Sequence, residues 1–256
     1  MIACYLTGHE IADTVMTRIA TGNSYNLRRT TDPFTPAKVH IAYGILRGTA
    51  EIFKEARRRG ERFIFLDKGF MGASHYDGYY RIGINRFQQD YQPHAFDTDR
   101  LHPLHYPAKL SRAVGTEVLI IPPTDHICQF YNLGSPRIWL KEAMANIVDH
   151  SPRPIRVRFK TDGEPLINHL SKAFCVVTHS SSVAWEAMRY GIPVISDPAC
   201  VTHNLLPLTL KDLENESSIQ VDDKMVMSLL KFMSHYQFTL DELAAGMARH
   251  LINPGG

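Results

Sequence analysis

Residues Phe174-Cys175-Val176-Val177-Thr178-His179-Ser180-Ser181-Ser182-Val183-Ala184-Trp185-Glu186-Ala187, followed shortly by Gly191-Ile192-Pro193-Val194-Ile195, decide how this chain is read. An unbroken apolar run predicts a buried strand, three serines open a helix, and a glycine closes that helix before the next apolar run. Strands that lack polar alternation and are separated by helices belong to a parallel sheet covered on both faces. The serine hydroxyls and the free amides of the helix's first turn then face the carboxyl edge of that sheet, where a phosphate is stabilised. One turn further on, Glu186 stands where a carboxylate can accept hydrogen bonds from ribose hydroxyls. Two plainer readings stay open: serines that only cap their helix, and a Glu186 that is a surface carboxylate.

The same rhythm extends outward. Residues 118–121 form an apolar strand ended by Pro122-Pro123, and residues 135–148 a helix with a serine cap and a proline in its first turn. Residues 155–159 read as a strand, 166–170 as a helical turn, and 193–196 as a further strand. Arg156, Arg158 and Lys160 alternate along one face of the 155–159 segment, which makes Arg158 and Lys160 candidate partners of the same phosphate, or else the solvated face of an edge strand. Toward the C-terminus, residues 224–232 are helical. Leu240, Leu243, Met247, Ala248 and Leu251 then repeat behind a Thr239 cap with Asp241-Glu242, which predicts one packed amphipathic helix over 240–251.

The first half alternates in the same way. Residues 2–6 predict a strand closed by Thr7-Gly8, and residues 10–20 a helix carrying Ile11, Val15 and Ile19. Residues 39–43 read as a strand, 49–59 as a helix with Ala50, Phe53 and Ala56 inward, 62–66 as a strand stopping at Asp67-Lys68-Gly69, and 79–84 as another strand. Residues 92–107 break the pattern with three prolines and with His94, His102 and His105, the mark of a connection between domains or a long functional loop. No cysteine accompanies those histidines and their spacing fits no ligand pair on a helix, so no metal site is expected there. Asp97-Thr98-Asp99 resembles a metal-binding triplet of some sugar transferases, but no apolar strand precedes it.

Composition narrows the field. The chain has 256 residues, 44% hydrophobic and 21% charged, which suits one large or two compact folded domains. No run approaches the roughly 18 apolar residues of a membrane span. The opening MIACYLTGHE lacks the basic and small-residue features of a signal peptide, and Cys4, Cys128, Cys175 and Cys200 form no CxxC pair. Buried thiols and a cytoplasmic location are the expectation. The net charge of +2 hides a split, with 16 basic against 11 acidic residues up to position 115, and 12 against 15 thereafter. A positive first half favours an anionic partner, although the Arg57-Arg58-Arg59 run also suits the last turn of a helix. GxxxxGK[ST], GxGxxG after a strand, GxSxG and HExxH are all absent; His9-Glu10 is followed by Asp13 where the second histidine would stand.

The block THSSSVAWEAMRYGIPVI resembles the donor-binding block of GT-B glycosyltransferases, most of all the capsule-polysaccharide synthesis group and small, often phage-encoded, glycosyltransferase-like proteins. Asp67-Lys68-Gly69-Phe70 with Tyr80-Arg81-Ile82-Gly83-Ile84-Asn85, and Tyr236-Gln237-Phe238-Thr239-Leu240-Asp241-Glu242-Leu243, are similar to the same small proteins. The resemblance implies an α/β fold of two Rossmann-like layers in a reduced GT-B-like arrangement with a parallel C-terminal sheet. It implies an acceptor-side domain over residues 1–112, a nucleotide-sugar-binding domain over 113–238, and a closing helix over 239–256 that packs back on the first domain. Donor binding then falls to Arg158, Lys160, His179, Ser180, Ser181, Ser182 and Glu186, with cations and helix amides in place of a metal on the leaving phosphate. His9, after the first strand, and Asp67, at the end of RFIFL, compete as the base that takes the acceptor's proton.

The function this implies is metal-independent transfer of a sugar from a nucleotide-sugar, with no further cofactor, to a hydroxyl of a glycan or of a modified DNA base. A nucleotide- or glycan-binding protein that keeps the donor fold without turnover is the alternative. An acidic glycan or DNA suits the positive first half, but no groove-reading helix or basic and aromatic stripe is recognisable. The oligomeric state is not legible.

Overall fold

The computed structural model describes residues 1–72, 78–92, 115–215 and 220–254. The histidines of the 92–107 segment and the Asp97-Thr98-Asp99 triplet lie outside these residues. The elements run β1 (Ile2–Leu6), α1 (Glu10–Asn23), β2 (Asn26–Arg29), β3 (Val39–Tyr43), α2 (Thr49–Arg58), β4 (Arg62–Lys68), β5 (Tyr79–Ile84) and β6 (Glu117–Ile121). They continue α3 (Asp125–Tyr131), α4 (Pro136–His150), β7 (Ile155–Val157), α5 (Leu166–Leu170), β8 (Ala173–Thr178), α6 (Val183–Arg189) and β9 (Val194–Ser196). After a 3-10 turn at Leu210–Glu214 come α7 (Asp223–His235), β10 (Gln237–Thr239), α8 (Leu240–Ala244) and α9 (Arg249–Ile252).

The chain divides into two compact units, one made of residues 1–89 with 233–256, the other of residues 90–232. The first holds a six-stranded sheet in the order β10-β5-β4-β3-β1-β2. The strands β2, β1, β3 and β4 are parallel, β5 runs against β4, and β10 runs against β5. Ala3, Cys4, Val39, Ile41 and Ile64 are fully buried, as expected of strands covered on both faces. On α1, Ala12, Val15, Met16, Ile19 and Ala20 are buried at helical spacing, and on α2, Ile52, Phe53 and Ala56 are. Phe53 packs face to face with Phe63 of β4 at 4.7 Å between ring centroids.

The second unit holds a four-stranded, wholly parallel sheet in the order β7-β6-β8-β9. The predicted strands near 118, 156, 175 and 194 are these four, and the mixed α/β, Rossmann-like layering expected of the chain is what the structure has. The strand that was expected to run to residue 159 ends earlier, at Val157, so Arg158 and Lys160 lie beyond it. Arg158 still prolongs the ladder by one bond, its N–H donating to the Ile120 carbonyl at 3.0 Å.

The C-terminal segment departs from the expectation of one helix. Gly246, at φ +81°, reverses the chain after α8, and the Gly246 and Met247 N–H groups bond back to the Leu243 and Glu242 carbonyls. Met247 is thereby turned outward, 51% exposed, while Leu240, Leu243, Ala248 and Leu251 stay buried. The start is as read: Thr239 accepts from the Glu242 N–H at 3.2 Å, and the Glu242 carboxylate accepts from the Thr239 N–H at 2.8 Å. Among the described residues no helix is long and apolar enough to cross a membrane.

Candidate functional site

In each sheet the chain leaves its first strand to one side and later returns to the other, and the carboxyl ends at that reversal are where open α/β sheets bind ligands. In the first unit the reversal lies between β1 and β3, in the second between β6 and β8.

At the β6–β8 reversal the Thr178 hydroxyl donates to the Ile121 carbonyl at 2.8 Å, joining the two strand ends. The next residue, His179, is 2% exposed, its ring 4.9 Å from that of Tyr131 on α3. His179 Nδ1 is 2.9 Å from Ser180 Oγ, and Nε2 is 3.6 Å from Asp197 Oδ1. Burial pushes the imidazole toward its neutral form against the pull of Asp197. A neutral ring is best satisfied with Nε2–H toward the carboxylate and Nδ1 accepting from Ser180. Ser181 Oγ accepts from the Val183 N–H at 3.2 Å and so caps α6. The Ser182 hydroxyl makes no hydrogen bond among the described residues and is partly open to solvent. Of the three serines, then, only one is occupied as a cap.

Glu186 sits on α6, half-buried, with no hydrogen bond or ion pair among the described residues. Burial raises its pKa, and the positive charges of Arg189 and Arg158 pull it back down. Register places Arg158 level with Thr178, two strands away, about 10 Å at the spacing of neighbouring strands. The Arg158 guanidinium has one long bond, to the Glu164 carbonyl at 3.4 Å, and its Nε is buried without a partner. Arg156, further down the strand, is committed to Glu117 by two bonds of 2.5 and 3.0 Å. Lys160 is exposed in the following turn and makes no hydrogen bond or ion pair among the described residues. The structure therefore brings Arg158, Glu186 and the 178–182 turn to one edge of the sheet.

At the β1–β3 reversal, Gly8 takes φ +77°, which favours glycine, and His9 follows as the residue before α1. The imidazole of His9 forms no hydrogen bond among the described residues. The turn is held instead by Asp13, whose carboxylate accepts from the Thr7 N–H at 2.6 Å, the Gly8 N–H at 3.0 Å and the Thr7 hydroxyl at 3.3 Å. Tyr43 closes β3, its ring edge-on to Tyr80 at 6.1 Å. Its hydroxyl pKa is raised by burial and by the charge of Asp67.

Asp67 lies inside β4, one residue before its end, directly opposite Arg81 of β5. Both carboxylate oxygens are engaged, one by the Arg81 guanidinium at 2.7 Å and the other by the Lys68 N–H at 2.9 Å. Arg81 also lies over the Phe70 ring at 4.8 Å. The two residues that compete as base thus differ: the His9 ring is uncommitted at the reversal, and Asp67 is ion-paired beside it.

Tyr43, Tyr131 and Asp197 were not singled out by sequence, Asp13 entered only as the residue standing where HExxH needs its second histidine, and Arg81 only inside a block similar to small glycosyltransferase-like proteins. Asp13 left a further signal there, an acid in the first turn of a predicted helix. Among the described residues no cluster of three or more His, Cys, Asp or Glu side chains could hold a metal ion. Two open clefts of about 430 and 460 Å³ are present, one around His150, Arg153 and Glu214, the other around Phe34, Glu51 and Arg58 and bordered by Thr30, whose N–H donates to the Leu6 carbonyl at the end of β1.

No family model matches the chain, and no curated protein matches its sequence. Among solved structures it is similar to KpsC of Thermosulfurimonas dismutans, a beta Kdo 2,4 transferase, with a TM-score of 0.51 at 12% identity. The likeness covers 95% of this chain and 97% of that one, so the chain shares its fold, over nearly its whole length, with that transferase.

Proposed function

We propose that this protein is a glycosyltransferase that takes its sugar from a nucleotide-sugar held at the β6–β8 reversal and passes it to a hydroxyl acceptor. The observation that carries the reading is Glu186, a half-buried carboxylate with no hydrogen bond or ion pair among the described residues, within the electrostatic reach of an Arg158 that has one long bond, and near a turn whose Ser182 hydroxyl makes no bond there. A carboxylate in that state is stabilised by ligand hydroxyls, which a ribose supplies, and its neighbours are donors, which a phosphate accepts. Ser180, Ser181 and Ser182 with Arg158 take the phosphate, His179 supports the turn from beneath, and Lys160 reaches the site only from its exposed turn.

In the first unit His9 takes the acceptor proton. Imidazole is a common proton acceptor in enzymes, and the His9 ring makes no hydrogen bond among the described residues, whereas both Asp67 oxygens are already engaged by Arg81 and the Lys68 N–H. Charge that develops on the leaving phosphate is met by the Arg158 guanidinium and the turn amides, with no metal required. The acceptor is a glycan or a modified DNA base, drawn by the positive first half of the chain.

A thermal-shift screen against UDP-, GDP-, CMP- and dTDP-sugars tests the donor site, because a ligand that binds only the native state raises the melting temperature by mass action. One class of nucleotide should give a shift, and Glu186→Ala should abolish it while the free protein still melts cooperatively. No shift with any of the four would sink the reading. A shift without hydrolysis or transfer would make the chain a binding protein that kept the donor fold.

A further inference from the structure

We propose that Asp13 is a positioning residue that holds His9 ready for proton transfer; the proposal rests on the reading of His9 as the base. A residue in the place of His9, just before a helix, normally spends its own side chain on the orphan N–H groups of the first turn. His9 does not: its side chain makes no cap bond. Asp13, one turn inside α1, instead reaches back to the loop and takes the N–H groups of Thr7 and Gly8. The same oxygen that binds the Thr7 N–H also accepts from the Thr7 hydroxyl, and Thr7 Oγ1 in turn accepts from the His9 N–H at 3.3 Å. All three residues of the turn are therefore tied, directly or through Thr7, to one carboxylate.

The division of labour is specific to Asp13. Glu10 is also acidic and in the first turn, but it is exposed and makes no bond to the loop. The bonds that Asp13 accepts are charge-assisted, the shortest at 2.6 Å, and stiffer than neutral ones. Two consequences follow for the imidazole. Among the described residues its nitrogens make no hydrogen bond and can meet an acceptor hydroxyl, while its backbone N–H is held to Thr7 Oγ1 and through it to Asp13. Displacement of a catalytic group by about 1 Å costs on the order of 100-fold in rate, so the anchor has kinetic consequences.

The experiment compares Asp13→Asn, Thr7→Val and His9→Gln in the full chain, using the nucleotide-sugar that gives the thermal shift. Asp13→Asn should lower kcat about 10- to 100-fold, with the donor KM and donor-induced thermal shift unchanged. Thr7→Val, which removes the hydroxyl that joins the His9 N–H to Asp13 and leaves the Thr7 and Gly8 N–H bonds to Asp13 in place, should lower kcat by a smaller factor with the same split, and keeps the question answerable if Asp13→Asn does not fold. His9→Gln should abolish turnover. If His9→Gln is inactive while Asp13→Asn, or Thr7→Val in its place, keeps kcat within twofold, the positioning role is overturned and the base stands. A loss confined to melting temperature, or a change in KM alone, overturns it as well. A His9→Gln variant with full turnover overturns the base itself.

Discussion

His40 is wholly buried in β3, with Nδ1 2.9 Å from the Tyr5 hydroxyl and Nε2 2.7 Å from a Glu61 carboxylate oxygen. Phe34 stacks on it at 4.9 Å. Burial lowers its pKa below the ordinary value of 6.5, and Glu61 only partly opposes that. A histidine whose folded pKa is depressed binds its proton more readily in the unfolded chain, so its contribution to stability is whole above about pH 6.5 and is lost as pH falls below that. The melting temperature should therefore drop as pH goes from 7 to 5, and His40→Gln should flatten that drop; equal slopes would show that His40 carries none of it. The remaining slope belongs in part to His179, shifted in the same direction. His179 was singled out as a candidate because it lies in the serine block, whereas His40, between Val39 and Ile41, reads only as a polar residue within an apolar strand. Its partners come from 35 residues upstream and 21 downstream in the chain, a separation that no local pattern spans.

Local patterns fared best where one element suffices to state them. The apolar runs of β1, β4, β6 and β8 carry their own burial, and the Thr239 and Ser135 caps are visible as serine or threonine before a helical repeat. β2 and β10 were not visible: the exposed Asn26–Arg29 and the three-residue Gln237–Thr239 are strands because a neighbour's edge is open to them. The break between α8 and α9 was readable from Gly246, yet the apolar spacing on either side outweighed it. Element packing also sets a demand on α1 that its periodicity hides. A Cβ on Gly22 would lie 2.2 Å from the Ala244 carbonyl oxygen, a backbone atom that cannot swing aside. Beside it the buried Asn23 amide donates to the Leu243 carbonyl at 2.9 Å and accepts from Arg249 at 2.9 Å, binding α1 to both closing helices. Gly22→Ala, which in an exposed helix would stabilise by up to about 1 kcal/mol, should here destabilise by roughly 1–3 kcal/mol. Urea unfolding measures it, and a raised midpoint would show that the α1–α8 contact is looser than described.

At the scale of the molecule the first unit is closed by the end of the chain. After α7 the backbone enters the first sheet as β10, where the Ile82 N–H donates to the Tyr236 carbonyl at 2.8 Å and the Gln237 side chain accepts from the Met71 N–H at 3.1 Å. The Arg62 guanidinium donates to the Leu251 carbonyl at 2.7 Å. Phe238, Leu240, Leu243, Ala248, Leu251 and Ile252 are buried there. The larger of these contribute about 1.5–3 kcal/mol each before the entropy of ordering the segment is set against them. A sum of that size is comparable to the whole stability of an ordinary domain. Deletion of residues 236–256 should therefore unfold the first unit or leave it marginal, while β6 and β8 lose no partner in their own sheet. Amide hydrogen exchange separates these outcomes: protection should vanish in β5 and α1 and persist in β6 and β8. Because Glu186 and the 178–182 turn lie in the surviving unit, the truncated protein should keep the thermal shift that the proposed donor site predicts for the full chain, while the proposed transfer is lost. Retained protection in β5 would show that the closing segment is an accessory to the first sheet rather than part of its core.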